Sequence, residues 1–180
     1  MIPATPSLLV AGASVCVGLG GGATARSPFE ERLLTEVHGV FNAEAAHRWD
    51  AAFIHHVGYW SHFDPRDERS GWTVPFECDL NAIGHWGLRH GLLREAASPG
   101  DLFLLRSRTE ERFVRIGVLA FVERCVEVRD DFWEYECVTI EGDSGVDLAL
   151  GGGTVMRHKR RLSAAHGDAF LDWAALPVKP

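Results

Sequence analysis

The chain has little positive charge, and its cysteines do not form a metal-binding pattern. It carries 18 Lys and Arg against 25 Asp and Glu, a formal net charge of −7 at pH 7. Nucleic-acid-binding surfaces need a basic excess to displace counterions from phosphates. The charge balance therefore argues against broad nucleic-acid binding. The four cysteines include no CxxC pair, so we predict no metal site.

Cofactor motifs are also missing. The glycine run at residues 151–153 lacks the Lys-Ser/Thr that completes a phosphate-binding loop, so we interpret it as a turn and predict no cofactor. His55 and His56 are adjacent, and on a helix their side chains point about 100° apart, which does not suit ligation of one ion.

One apolar run lies near the N terminus, at residues 8–25, LLVAGASVCVGLGGGATA. It ends in a small-x-small sequence like a signal cleavage site, but no basic residue precedes it. It is too short and too rich in glycine to span a bilayer, so we predict no transmembrane segment. We interpret residues 1–27 as a flexible or buried arm, or as a weak signal-like segment. A cytoplasmic location is slightly favoured over export.

Residues 28–180 are predicted to form one domain, because their length and a hydrophobic content of 46% suit a single core. Apolar periodicity predicts helices first and strands afterwards. Short connections between the strands favour an antiparallel sheet in an α+β fold. The predicted helices cover residues 28–41, 49–60, 79–92 and 164–175, and the strands cover 102–105, 112–128 (as two strands or one long bent strand), 132–140 and 154–162.

Two cysteines leave an alternative open. A hairpin turning at Asp130-Asp131 would bring Cys125 close to Cys137. These residues form either a disulfide or two partly buried free thiols.

The only dense basic run is 157-RHKRR-161. Alternation along a strand places Arg157, Lys159 and Arg161 on one face. This face is either a solvated surface or a binding site for an acidic partner.

Three segments occur in the order and spacing of a known group of enzymes. They are 49-WDAAFI-54, then 99-PGDLFLL-105 followed by 112-RFVRIGVLAFV-122, and finally 138-VTIEGD-143. Together they resemble the CHAP and NlpC/P60 group of papain-like cysteine peptidases and amidases. In that group the first segment opens the nucleophile helix with a cysteine, the second carries the histidine base, and the third ends in asparagine. The resemblance implies N-terminal helices packed on an antiparallel sheet.

The three polar positions of that group are substituted. Asp50 stands at the cysteine position, Arg115 at the histidine position and Asp143 at the asparagine position. An arginine does not release its proton near neutral pH, so Arg115 cannot act as a general base. The resemblance therefore implies a degenerate amidase that has lost the Cys-His mechanism. We hypothesise that Asp50 and Arg115 form an ion pair, with Glu141 as a second carboxylate beside Arg115.

Asp50 also has a purely structural interpretation, because a carboxylate at a helix start complements the helix dipole and can accept backbone N–H groups. Two functions follow from the resemblance. The first is a non-catalytic binding or scaffold protein with a peptide or peptidoglycan-like ligand in an aromatic cleft. The alternative is a peptidoglycan amidase or endopeptidase in which Asp50, Glu141 or Asp143 activates water and Arg115 stabilises the oxyanion. The aromatic residues expected in the cleft are Trp49, Tyr59, Trp60 and Trp72.

Overall fold

The computed structural model describes residues 5–19, 50–60, 74–75, 79–129, 132–144 and 154–175. These residues contain three α-helices and one six-stranded sheet, and every strand pairing is antiparallel. The predicted α+β class with an antiparallel sheet is confirmed. The helix predicted over residues 28–41 lies outside the described residues. The elements are α1 (Pro6–Val15), α2 (Asp50–Trp60), α3 (Leu80–Arg89), β1 (Leu93–Arg94), β2 (Leu102–Arg106), β3 (Phe113–Arg129), β4 (Phe132–Ser144), β5 (Thr154–Ser163) and β6 (Ala169–Leu171).

The strands are arranged in the order β1-β6-β2-β3-β4-β5. The long apolar segment after residue 112 is one strand, β3, rather than two. Its register with β4 shifts at three places, where β3 contains an extra residue. Such bulges bend a strand and increase its twist, which explains how one 17-residue strand stays in the sheet.

The predicted closing helix over residues 164–175 is wrong. Two short 3-10 turns, Ala164–His166 and Trp173–Ala175, flank strand β6, which pairs with both β1 and β2. Gly167 ends the first turn with a left-handed φ of +81°, a conformation that favours glycine. Strand β6 is buried along its whole length. A buried strand inside a sheet reads as a continuous apolar run, which periodicity does not distinguish from a buried helix.

Residues 6–19 of the N-terminal segment contribute to the core, which agrees with the buried-arm alternative for this part of the segment. Helix α1 contacts α2 and β3, and its Leu9 and Ala13 are completely buried. Beyond the helix, the Gly18 N–H donates to the carbonyl of Val155 at 2.9 Å, and the Val155 N–H donates to the carbonyl of Leu19 at 2.8 Å. Within the described part of the signal-like run, Leu9, Ala13 and Cys16 are buried, whereas Val15 is exposed. Among the described residues, no helix is both long enough and apolar enough to cross a membrane.

The core has one cluster on each face of the sheet. Helix α2 packs Phe53, Ile54 and Val57 into the cluster that also contains Leu104 and Ile116. Phe103, Leu119, Leu162 and Phe170 belong to the cluster on the opposite face, as expected from the alternation of side chains along each strand. Because α2 contacts both β3 and β4, its first residue, Asp50, lies beside these two strands.

Candidate functional site

Asp50 is a buried carboxylate at the first residue of α2. It is 2% exposed. One carboxylate oxygen, Oδ1, accepts the Ala51 N–H at 3.1 Å, and Oδ2 accepts the Ile116 N–H of strand β3 at 3.4 Å. Backbone N–H donors and the positive end of the helix dipole both stabilise an anion in this place. The structural interpretation of Asp50 therefore has direct support in its contacts.

The position of Asp50 is related to the way in which β3 and β4 pair. Their register begins at Val118 opposite Ile140 and continues toward the hairpin end of the two strands. Ile116 precedes that first pair by two residues, and its N–H is directed to the carboxylate of Asp50. The start of α2 thus supplies a side-chain acceptor to β3 at this end of the sheet, next to Arg115.

Glu141 is a second buried carboxylate of the predicted site, and its side chain has no exposed surface. Arg160 on β5 donates to both of its oxygens, from Nε to Oε1 at 2.8 Å and from Nη2 to Oε2 at 2.7 Å. The Thr139 hydroxyl also donates to Oε1. Burial alone would raise the pKa of Glu141, but the hydrogen bonds from Arg160 and Thr139 and the charge of Arg160 outweigh it and lower this pKa. Glu141 is therefore ionised at neutral pH.

Arg115 lies beside the same carboxylate. Its Nε is 4.0 Å from Oε2 of Glu141, and its Nη1 donates to the carbonyl of Gly142 at 3.5 Å. The side chain is 13% exposed. Glu141 thus stands next to Arg115, as hypothesised, although the shorter bonds to Glu141 come from Arg160.

The Asp50–Arg115 ion pair stays a prediction. The amide that donates to Asp50 belongs to Ile116, the residue that follows Arg115 in β3. The Asp50 carboxylate therefore contacts β3 one residue away from Arg115. A double-mutant cycle on Asp50 and Arg115 tests this ion pair, because it measures the interaction energy of the two side chains directly.

Several predicted site residues cannot be placed. Trp49 and Trp72 lie outside the described residues. Tyr59 and Trp60 end helix α2, and Asp143 lies in β4, but the side chains of these three residues are outside the described part of the chain.

Sequence analysis missed Arg160 as a site residue. The register places it opposite Cys137, whereas Glu141 lies four residues further along β4, so the Arg160 side chain extends along the strand to reach Glu141. One signal was available. Arg160 lies between the exposed Lys159 and Arg161, so its side chain is on the other face of β5, which it shares with the buried Leu162. A charged residue at an inward position needs a buried partner of opposite charge.

The exposed basic face of β5 has the predicted alternation. Arg157, Lys159 and Arg161 are all exposed. Each of them contacts a polar or acidic side chain of the same molecule, at 3.0, 2.8 and 3.1 Å respectively. These contacts favour the solvated-surface interpretation, and the acidic partner stays a prediction. The contacted residues are Ser14, Glu123 and Glu136, in the same order.

The described cysteines are free thiols and do not replace the missing nucleophile. Burial raises the pKa of Cys16 to about 11 and that of Cys137 to about 12, so neither is a thiolate at neutral pH. Cys125 is exposed and stands opposite Tyr135 in the register, two residues away from Cys137. The open question of a Cys125–Cys137 disulfide is resolved in favour of two thiols.

His55 and His56 are both buried in α2. In the part of the chain that the structure describes, no three side chains of His, Cys, Asp or Glu are grouped closely enough to hold a metal ion.

Comparison with protein-family models, with curated proteins and with solved structures finds no match for this chain. The resemblance to the CHAP and NlpC/P60 group therefore depends on the three sequence segments alone.

Proposed function

We propose that this chain is a non-catalytic relative of the CHAP and NlpC/P60 amidases that binds a peptide or peptidoglycan-like ligand. The observation that carries the proposal is the burial of Asp50 and Glu141, which are 2% and 0% exposed and already accept hydrogen bonds within the protein. A carboxylate that activates water must have that water within hydrogen-bonding distance. These two carboxylates are arranged to hold the structure together.

The two arginines beside Glu141, Arg115 and Arg160, support the same function. Arg160 is held by two bonds to Glu141, and Arg115 lies beside the same carboxylate. Guanidinium groups remain protonated at any pH at which the protein is folded, so neither can move a proton during a reaction. The group of Glu141, Arg115 and Arg160 therefore combines a fixed anion with two fixed cations, and it contains no thiolate among the described residues.

The hydrolase alternative requires a carboxylate that faces an open pocket. One open groove of the described residues lies elsewhere, between the β2–β3 connection and the turn after β5. Burial of Asp50 and Glu141 counts against this alternative, and the following experiment separates it from binding without catalysis.

The test measures binding and product release on one sample of protein with soluble peptidoglycan fragments. We expect the wild-type chain to bind a fragment and to release no product above a protein-free blank. The variant Asp50→Asn, which keeps the shape of the side chain, should give the same blank level, as should Glu95→Gln, an exposed control. Product release by the wild type that Asp50→Asn abolishes would overturn the proposal in favour of the hydrolase.

A second experiment tests the positional assignment. The double variant D50C/R115H restores the residue types of the resembled enzymes, with D50C and R115H as matched single controls. We expect amide cleavage only in the double variant, because the thiol needs a base within reach. Equal activity in D50C alone would contradict the assignment of Arg115 to the base position.

A further inference from the structure

An open polar groove lies away from the buried carboxylates. Its walls are the β2–β3 connection and the turn after β5, and its volume is about 640 Å³. This volume is within the range of sites that hold small ligands. The lining consists of residues 106–111 on one side and residues 164–167 on the other.

Arginines next to this groove differ in their partners. Arg108 is fixed by Asp168, at 3.2 Å, and by the carbonyl of His166, at 3.0 Å. Arg112, in the same connection but outside the groove lining, pairs with Glu110. The guanidinium of Arg106 has no ion pair and no hydrogen bond within the described part of the chain. Arg106 is therefore the groove cation without a counter-ion.

Gly167 leaves the space that the Arg106 side chain occupies beside the groove. A Cβ atom on Gly167 would lie 2.5 Å from Cδ of Arg106 and 3.4 Å from its Nε and Nη1. Only glycine leaves this space and also accepts a φ of +81° without strain. The backbone of Arg106 is fixed as well, since its N–H donates to Oδ1 of Asp168 at 3.0 Å. The backbone of Arg106 is thus fixed and its side chain lies against Gly167, while its guanidinium has no ion pair among the described residues.

The acidic residues of the groove narrow the class of ligand. Glu110 and Glu111 both line it. Glu110 is paired with Arg112, so the charge of Glu111 is the one that disfavours a dianion such as phosphate. A singly charged carboxylate fits the planar fork of a guanidinium, which can donate two parallel hydrogen bonds to it. An amino group elsewhere on the same ligand would be attracted to Glu111.

We propose that this groove binds the free C-terminal carboxylate of a short peptide through Arg106, with the amino end of the peptide near Glu111. This groove does not depend on the function proposed above, because its lining does not include Asp50 or Glu141. It adds a specific requirement to any peptide ligand of this protein, namely an unblocked C terminus.

The test is a titration of the whole chain with trialanine, trialanine amide and inorganic phosphate, followed by NMR or calorimetry. We expect trialanine to bind, and both the amide and the variant Arg106→Gln to weaken binding by about tenfold or more, because each removes a charge-assisted pair. The amide should bind Arg106→Gln no more weakly than it binds the wild type. Arg124→Gln removes an exposed arginine outside the groove lining and should leave the affinity for trialanine unchanged.

The contrary results are distinct. Absence of trialanine binding to the wild type, equal affinity for the amide, unchanged affinity in Arg106→Gln, or tighter binding of phosphate than of trialanine would each overturn the proposal. Asp50→Asn should not alter trialanine binding. If Asp50→Asn weakens trialanine binding and Arg106→Gln does not, the peptide binds near Asp50 and the groove is not its site.

Discussion

Arg160 and Arg106 are both partly buried arginines at the sheet, but their surroundings differ. Arg160 donates two bonds to Glu141 within the protein, whereas Arg106 has no ion pair among the described residues and faces an open groove. A charge with an internal partner maintains the structure, and removing either member leaves the other charge uncompensated. A charge such as that of Arg106, which lines a groove and has no partner among the described residues, is available to a ligand. The comparison therefore separates the structural polar cluster from the candidate binding site.

The largest expected effect comes from breaking the pair at Arg160. In Arg160→Met, the carboxylate of Glu141 stays fully buried but loses both of its guanidinium bonds. We expect a loss of about 3 kcal/mol in the free energy of unfolding, measured by urea denaturation. Arg161→Met is the matched control, because Arg161 is the next residue and is exposed. It should lose less than about 1 kcal/mol. Equal losses in the two variants would contradict the structural role of the cluster.

A smaller effect is expected from Glu141→Gln, which leaves the partly exposed Arg160 without a charged partner. We expect a loss of about 2 kcal/mol at neutral pH, since the Gln amide has no negative charge and only one oxygen to accept from Arg160. Arginine holds the pKa of Glu141 below its ordinary value. Its stabilising contribution is therefore complete above the ordinary glutamate pKa and is lost as the pH falls through the lowered one.

The measurement for this second prediction is unfolding of both proteins across the acidic range. The advantage of the wild type over Glu141→Gln should be constant from neutral pH down to about pH 4.3 and should decrease only below it. A difference that already decreases between neutral pH and that value would show that Glu141 is not held ionised by Arg160.

Asp101 provides the opposite case, a buried carboxylate whose contacts do not compensate for burial. Burial raises its pKa to about 6, although the Ser98 N–H and the charge of Arg94 act in the lowering direction. For a raised pKa, the stabilising contribution is complete below the ordinary aspartate value and is lost as the pH rises through about 6. The Ser98 N–H donates to Oδ2 of Asp101 at 2.9 Å. In Asp101→Asn the side-chain oxygen can still accept this hydrogen bond.

We expect Asp101→Asn to gain stability relative to the wild type as the pH rises from 4 to 7, as checked by thermal unfolding in a pH series. Glu95→Gln, an exposed control, should show no such trend. A constant difference between Asp101→Asn and the wild type over this range would mean that the pKa of Asp101 is not raised.

The smallest effect is expected at Arg106. Because its guanidinium has no ion pair in the described structure, Arg106→Gln should change the free energy of unfolding by no more than about 0.5 kcal/mol. Urea denaturation of Arg106→Gln beside Arg160→Met measures the contrast directly. A loss of stability in Arg106→Gln that approaches that of Arg160→Met would remove the distinction between the two arginines.

Local patterns in the sequence were sufficient for much of the fold. The helix that begins at Asp50, the helix after Asp79 and the exposed alternation of Arg157, Lys159 and Arg161 all follow from residue type and spacing within one element. Each of these features depends on neighbours along the chain. Sequence reasoning is most informative about such features.

Other features depend on contacts between distant segments. The bond from Arg160 to Glu141 requires the register of β4 with β5, which no local pattern specifies. The apolar run in strand β6 was interpreted as part of a helix because its pairing with β1 and β2 involves residues far away in the chain. Helix α1 has the composition of a signal-like segment, and only its contacts with α2 and β3 show where its apolar side chains lie.

The most direct test of binding without catalysis is product release from a soluble peptidoglycan fragment, followed by mass spectrometry. Wild type, Asp50→Asn and Glu141→Gln are compared, and D50C/R115H serves as the variant with a restored thiol and base. We predict that the first three release no product above the blank while the wild type still binds the fragment. Product release by the wild type that is lost in Asp50→Asn or Glu141→Gln would contradict the account, because a buried carboxylate with internal hydrogen bonds would then be required for hydrolysis.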